Sequence, residues 1–260
     1  MNEQPLTPSD RQPSSPPQEL RVSWPVSVPR VTYALLALTV FIYLLQLGSV
    51  FFYGYAFGGI DWLEVFGARI NAMIRAGEIW RFITPVFLHA SIPHVFFNMY
   101  GLFVLGAPLE RHFGHGRFLS LYFLAGFSGN VLSFLFGSEN GYSVGASTAI
   151  FGLAAAEGIF LYQNRKLFGS QVRRGIGNII FIIAINLFIG LTPGIDNWGH
   201  IGGLLGGLIF TWFAGPRLEV EGMAPALRLV DQREFREVVL GAGTVIIIFG
   251  ALAVWGMISS

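Results

Sequence analysis

Four polar residues of this chain could do hydrolytic chemistry together: Ser147, His200, Asn98 and His94. A serine hydroxyl attacks a carbonyl well only when a base takes its proton, and His200 is a base that could serve. The oxyanion made by such an attack needs hydrogen-bond donors. Asn98 offers a side-chain amide, and His94 stands one helical turn before it at i−4. Ser147 lies in Gly145-Ala146-Ser147-Thr148-Ala149-Ile150-Phe151-Gly152. The backbone N–H groups at a helix start there would be free and at the positive end of the dipole. Taken singly, the residues have ordinary readings. Ser147 alone is a packing or capping serine, and His200 alone is a histidine bonded to a neighbouring helix. As a set they point to an activated serine, its base and an oxyanion site made by Asn98, His94 and the Ser147 end of its helix.

The elements that must position them are membrane helices. Of 260 residues, 53% are hydrophobic and only 12% are charged, with a mean hydropathy of +0.59. A soluble domain is about 25% charged, so lipid is the natural solvent for this chain. Spanning helices need about 20 apolar residues. Seven stretches qualify, near Val31–Phe52, His94–Leu109, Phe118–Phe136, Gly145–Tyr162, Asn178–Leu191, Asn197–Phe213 and Val238–Ile258. With the N-terminus in the cytoplasm, only Arg69, Arg75 and Arg81 of the 16 Lys and Arg residues fall outside. That bias fits the positive-inside rule. The even-numbered helices then run from outside to inside, and His94, Asn98, Ser147 and His200 share one depth just below the outer surface. Polar groups at membrane depth are expensive and default to function.

Packing supports the pairing of serine with histidine. His200, Gly203 and Gly207 recur at i, i+3 and i+7. Ser147, Phe151, Ala154 and Gly158 recur at i, i+4, i+7 and i+11. Small residues on facing helices allow close approach, and Phe151 is placed to pack on the imidazole. Asp196 stands four residues before His200 in a turn-rich stretch. It is expected to cap the sixth helix from a wet position, leaving a dyad rather than a triad. The Tyr53–Pro93 loop carries Trp62, Phe66 and Trp80, which suit the interface. Glu110 and Arg111 are expected to tie the second helix to the following turn, and His112 and His115 to be solvated. Glu157 is expected near the cytoplasmic end, paired with Arg or facing water, and Arg81 to be structural. The first 29 residues hold seven of the 13 prolines and read as a disordered cytoplasmic tail.

The absence of cysteine excludes disulfides, thiolate metal sites and a cysteine nucleophile. No His/Asp/Glu cluster has metal-ligand spacing, no phosphate-cradling motif is in a suitable context, and no basic stripe suggests nucleic acid. No cofactor is expected. Nothing in the sequence sets an oligomeric state.

The chain resembles the rhomboid family of intramembrane serine proteases. The matching pieces are Trp80-Arg81, His89, His94-Val95-Phe96-Phe97-Asn98, and Glu110 with Gly114 and Gly116. They continue with Gly145-Ala146-Ser147 and His200-Ile201-Gly202-Gly203 with Gly207. The resemblance runs from about Gly77 to Ala214. It implies an all-α polytopic membrane protein. Residues 30–215 form a six-helix core, and 216–260 hold a cytoplasmic linker and an appended seventh helix. It also implies a Ser147–His200 dyad, His94 and Asn98 at the oxyanion site, a water-filled cavity open to the outside, and a first loop dipping into the bilayer. The family usually has glycine after the nucleophile, where this chain has Thr148, so a narrower cavity is expected. The partners implied are single-span membrane substrates and the bilayer of a prokaryotic cytoplasmic membrane. A non-proteolytic relative that binds membrane clients is the alternative. A seven-helix receptor or transporter would leave the shared depth of the four residues unexplained.

Overall fold

Long apolar runs become long helices. The computed structural model describes residues 21–23, 27–57, 60–223 and 226–259. Helix α1 covers Arg30–Phe57. The loop after it folds into the short helices α2 (Trp62–Gly67) and α3 (Asn71–Arg75) and two 3₁₀ turns. Then α4 (Ile92–Gly101) runs through one π turn into α5 (Ala107–Phe113). Helix α6 is His115–Phe136, α7 is Ser147–Gln163, and the one-turn α8 is Arg165–Phe168. Helices α9 (Gln171–Ile189), α10 (Asn197–Ala214) and α11 (Phe235–Ile258) complete the chain.

Five described stretches are long and apolar enough to cross a membrane: Arg30–Phe52, Ile92–Phe113, α6, α9 and α11. The two helices that carry Ser147 and His200 fall outside that set. Helix α7 has 17 residues, and α10 is rich in glycine. Both sit inside the bundle, beside α6. The protein is an all-α, multi-pass integral membrane protein.

Helix α6 is the central post, with 67% of its apolar window buried, against 6% for α9. Glycines set how closely α10 approaches its neighbours. A Cβ on Gly202 would lie 2.5 Å from the Ser128 carbonyl of α6. Cβ atoms on Gly203 and Gly207 would run into the Thr148 and Gly152 carbonyls of α7. Backbone therefore meets backbone on two sides of α10, as small-residue membrane crossings allow. The face of α7 that receives Gly203 and Gly207 is thus Thr148 and Gly152. Gly158, expected on that face, instead approaches Ile179 of α9.

Short sheets cap both ends of the bundle. At the Ser147 end, β2 (Arg69–Ile70) pairs antiparallel with β3 (Tyr142–Ser143). At the far end, β4 (Leu218–Glu221) and β5 (Ala226–Asp231) form a hairpin, and β1 (Arg21–Ser23) adds to β5 in parallel. The stretch expected to be a plain linker is thus folded. Residues 21–23 of the tail expected to be disordered are a strand; residues 1–20 and 24–26 lie outside the described residues. Arg117 pairs with Asp231, and Arg233 donates to the Gly215 and Trp212 carbonyls, locking the hairpin to α6 and α10.

Glu110 ties the second helix to the following turn through His115, and it does more. It is fully buried and accepts from the Val31 and Thr32 N–H groups at 2.8 and 2.7 Å and from the Thr32 hydroxyl at 2.7 Å. A carboxylate from the second helix thereby caps the start of the first, where the dipole favours it. His115 is exposed, as expected, and its Nδ1 lies 2.5 Å from Glu110 Oε1. His112 stacks on Phe160.

Candidate active site

The site is built on a backbone turn. Gly145 has φ +129°, a conformation that L side chains rarely adopt. Its N–H donates to the Pro85 carbonyl at 2.9 Å. Ala146 N–H points at His89 Nε2 at 3.4 Å. The chain then enters α7 with Ser147 as its first residue and with no side chain capping it. The first backbone bond of this helix reaches back from Ile150 to Ala146. The N–H groups of Ser147, Thr148 and Ala149 therefore precede the intrahelical ladder.

Ser147 Oγ lies 3.0 Å from His200 Nε2. His200 is buried, and its ring stacks on Phe151 with centroids 4.1 Å apart and planes 7° from parallel. Its other nitrogen, Nδ1, is buried without a hydrogen-bond partner among the described residues. The imidazole is thus oriented by an aromatic face and by its helix rather than by a carboxylate.

His94 and Asn98 come to the same place from α4. A Cβ on Gly145 would lie 2.7 Å from His94 Nε2 and 3.7 Å from Asn98 Nδ2. Both side-chain donors therefore stand against the turn two residues before Ser147. Asn98 Nδ2 donates to the His94 carbonyl at 3.0 Å, which fixes the amide. All four expected residues converge, although 106 positions separate the first from the last. Gly203 and Gly207 hold the α7–α10 crossing below them, as described above.

Asp196 caps α10 through Gly199 N–H at 2.9 Å. It is not wet. It is half-buried and accepts a bond from the Ser133 hydroxyl of α6. The Thr148 side chain is buried and packs into room left by Gly129 and Gly199. A Cβ on either glycine would come within 2.6 and 3.0 Å of Thr148 atoms. The threonine fills a helix crossing.

Two contributors escaped sequence reasoning beyond the motif itself. Gly145 is required by φ and by the space His94 occupies. His89 holds the nucleophile turn and packs edge-on against His94, with centroids 5.1 Å apart. Gln46 of α1 accepts from His89 N–H at 3.0 Å and donates to Asp61 at 2.7 Å, tying this turn to the first helix. Arg81 is buried and donates to the Ala68 and Val65 carbonyls at 2.7 and 2.8 Å, a structural role. Among the described residues no three His, Asp or Glu side chains gather as metal ligands.

A serine thus meets a histidine beside a turn lined by an amide and a second imidazole, an arrangement compatible with serine hydrolysis, inside a helical membrane protein. The Rhomboid domain family model matches residues 76–217, and the chain belongs to that family. It is similar to rhomboid protease GluP of Bacillus subtilis, at 48% identity over 56% of this chain and 28% of that one. RHOMBOID-like protein 6, mitochondrial, of Arabidopsis thaliana is 41% identical over 58% and 46% of the two chains. Rhomboid-like protease 1 of Toxoplasma gondii is 36% identical over 55% and 49%. The matched region is less than half the length of each of these relatives.

Proposed function

We propose that this protein is an intramembrane serine endopeptidase. The observation that carries the proposal is the 3.0 Å approach of His200 Nε2 to Ser147 Oγ. His200 takes the serine proton as Oγ attacks the scissile carbonyl. The oxyanion is met by Asn98, by His94 and by the unbonded N–H groups at the start of α7. The protonated imidazole gives its proton to the leaving amine. Water, deprotonated by the same histidine, then hydrolyses the acyl-enzyme. Two residues suffice for the proton transfers in this reading, which the lack of any hydrogen bond from a carboxylate to Nδ1 of His200 supports.

Substrates are single-span membrane proteins cut near their outer ends. The charge bias favours an N-terminus in the cytoplasm, with the Ser147 end of the bundle at the outer face of a cytoplasmic membrane. Residues 30–215 form the protease core and 216–260 the folded hairpin with the last helix. A scissile carbonyl held in i→i−4 bonds must be freed before attack, so segments containing Gly or Pro are favoured substrates. The client-binding alternative rested on Thr148, whose side chain is buried between Gly129 and Gly199. Reconstituted protein should cleave a single-span reporter containing such a segment. Cleavage retained by purified, folded Ser147→Ala would overturn the proposal.

A further inference from the structure

At the end of the bundle opposite Ser147, one patch of positive charge has no acidic partner among the described residues. Arg165 and Lys166 lie on α8, and Arg173 and Arg174 lie in the first turn of α9. All four are exposed. From residue 158 to residue 195 the chain contains no Asp or Glu at all. Each ion pair among the described residues uses some other cation: Arg75, Arg81, His115, Arg117, Arg228, Arg233 or Arg236. Two of the four sit where a helix dipole disfavours positive charge. Local helix stability therefore does not explain them.

Two further observations say what surrounds this patch. The Arg165 guanidinium lies over the Tyr162 ring, 4.7 Å from its centroid, and Tyr162 stacks on Trp212. Both rings are about half exposed. Exposed Tyr and Trp at the end of apolar helices mark headgroup level in a bilayer. The helix that the cations start, α9, is also the least embedded in protein. Only 6% of its apolar window is buried, and Val172 is its only fully buried residue. Exposed Ile180, Phe181, Ile182, Ile185 and Phe188 leave it to lipid. Lipid, more than protein, must fix its position.

We propose that Arg165, Lys166, Arg173 and Arg174 form a binding surface for anionic phospholipid headgroups, and that these lipids anchor the inner end of α9. The positive-inside bias accounts for cations on this side. It does not account for their gathering, with no acid from residue 158 to residue 195, beside an aromatic pair and a helix with little buried surface. Clusters of at least four Lys or Arg next to a spanning helix draw anionic lipid. Each such residue near an anionic surface contributes about fivefold in affinity. The surface goes beyond the proposed proteolysis and does not depend on it.

The test uses the full chain in nanodiscs of phosphatidylcholine alone or with phosphatidylglycerol. Hydrogen exchange at the first turns of α9 should slow when phosphatidylglycerol is present, and native mass spectrometry should retain that lipid on the protein. The variant R165Q/K166Q/R173Q/R174Q should lose roughly tenfold or more of the retained lipid and show no composition-dependent exchange. R165K/R173K/R174K, which keeps the charge, should behave as wild type. R228Q/R236Q, which removes ion-paired cations of the hairpin side, should also bind normally. Equal α9 exchange in both bilayers for the wild-type protein would overturn the proposal, even if the neutral variant failed to insert. Equal lipid retention by the neutral variant would overturn it as well.

Discussion

Gly145→Ala probes whether the nucleophile turn and the α4 side chains form one device. The added Cβ would lie 2.7 Å from His94 Nε2 and 2.9 Å from Cε1. Ordinary carbon contacts begin near 3.4 Å, so ring or turn must yield by about 0.7 Å. The φ of +129° adds about 1–3 kcal/mol of backbone strain for any L side chain. Displacement of that order at a reacting centre costs about 10²-fold, similar to losing one oxyanion donor. The expected result is therefore a kcat reduced about 10²-fold with KM changed far less, measured on a fluorogenic single-span reporter in proteoliposomes. His94→Ala removes the atoms that collide. The double variant should lose clearly less than the product of the two single losses, as touching residues do. An unchanged kcat for Gly145→Ala, or losses that multiply, would refute a shared site.

Thr148→Gly should lower stability by about 1–3 kcal/mol, because it empties a filled helix crossing, yet leave kcat within about tenfold. A larger rise in kcat would support the idea of a cavity narrowed by threonine. Asp196→Asn keeps a capping oxygen for Gly199 and should lose less than about tenfold in kcat, whereas His200→Ala should lose essentially all. A loss near the ~10⁴-fold that follows removal of a triad carboxylate would show that Asp196 acts on the imidazole. Hydrogen bonds from Arg75 and then Asn71 hold the Glu139 carboxyl at about 2, well below the usual range. Its folded value lies below its unfolded one, so its support of the first loop is complete above about pH 4.3 and fades as pH falls toward 2. Thermal unfolding of wild type and Glu139→Gln should accordingly differ most near neutrality and converge in acid.

What could be read from the sequence was periodic or chemically expensive. Apolar runs located the helices, and the i, i+3, i+7 spacing of His200, Gly203 and Gly207 placed the histidine on a face of α10 that meets α7. Phe151, one turn from Ser147, was placed on the imidazole, where it lies. Long-range polar contacts were beyond reach. Nothing local shows that Glu110 caps a helix starting 80 positions earlier. The packing of Thr148 depended on Gly129 and Gly199, each on a different helix. Helix α9 starts at Gln171, seven residues before the expected Asn178, because polar and basic residues there continue a helix past its apolar run. The β4–β5 hairpin did leave a signal. Leu218-Glu219-Val220-Glu221 alternates apolar and polar with period two. Gly222 follows at φ +104°, at the turn.

The central claim is that Ser147 is a nucleophile activated by His200 alone. Its most direct test is labelling of the detergent-solubilised protein with a fluorophosphonate, followed by mass mapping of the modified peptide. The account predicts one adduct, on Ser147, absent from Ser147→Ala and from His200→Ala and present in Asp196→Asn. Labelling that persists in folded Ser147→Ala, or an adduct mapped to another serine, would contradict it.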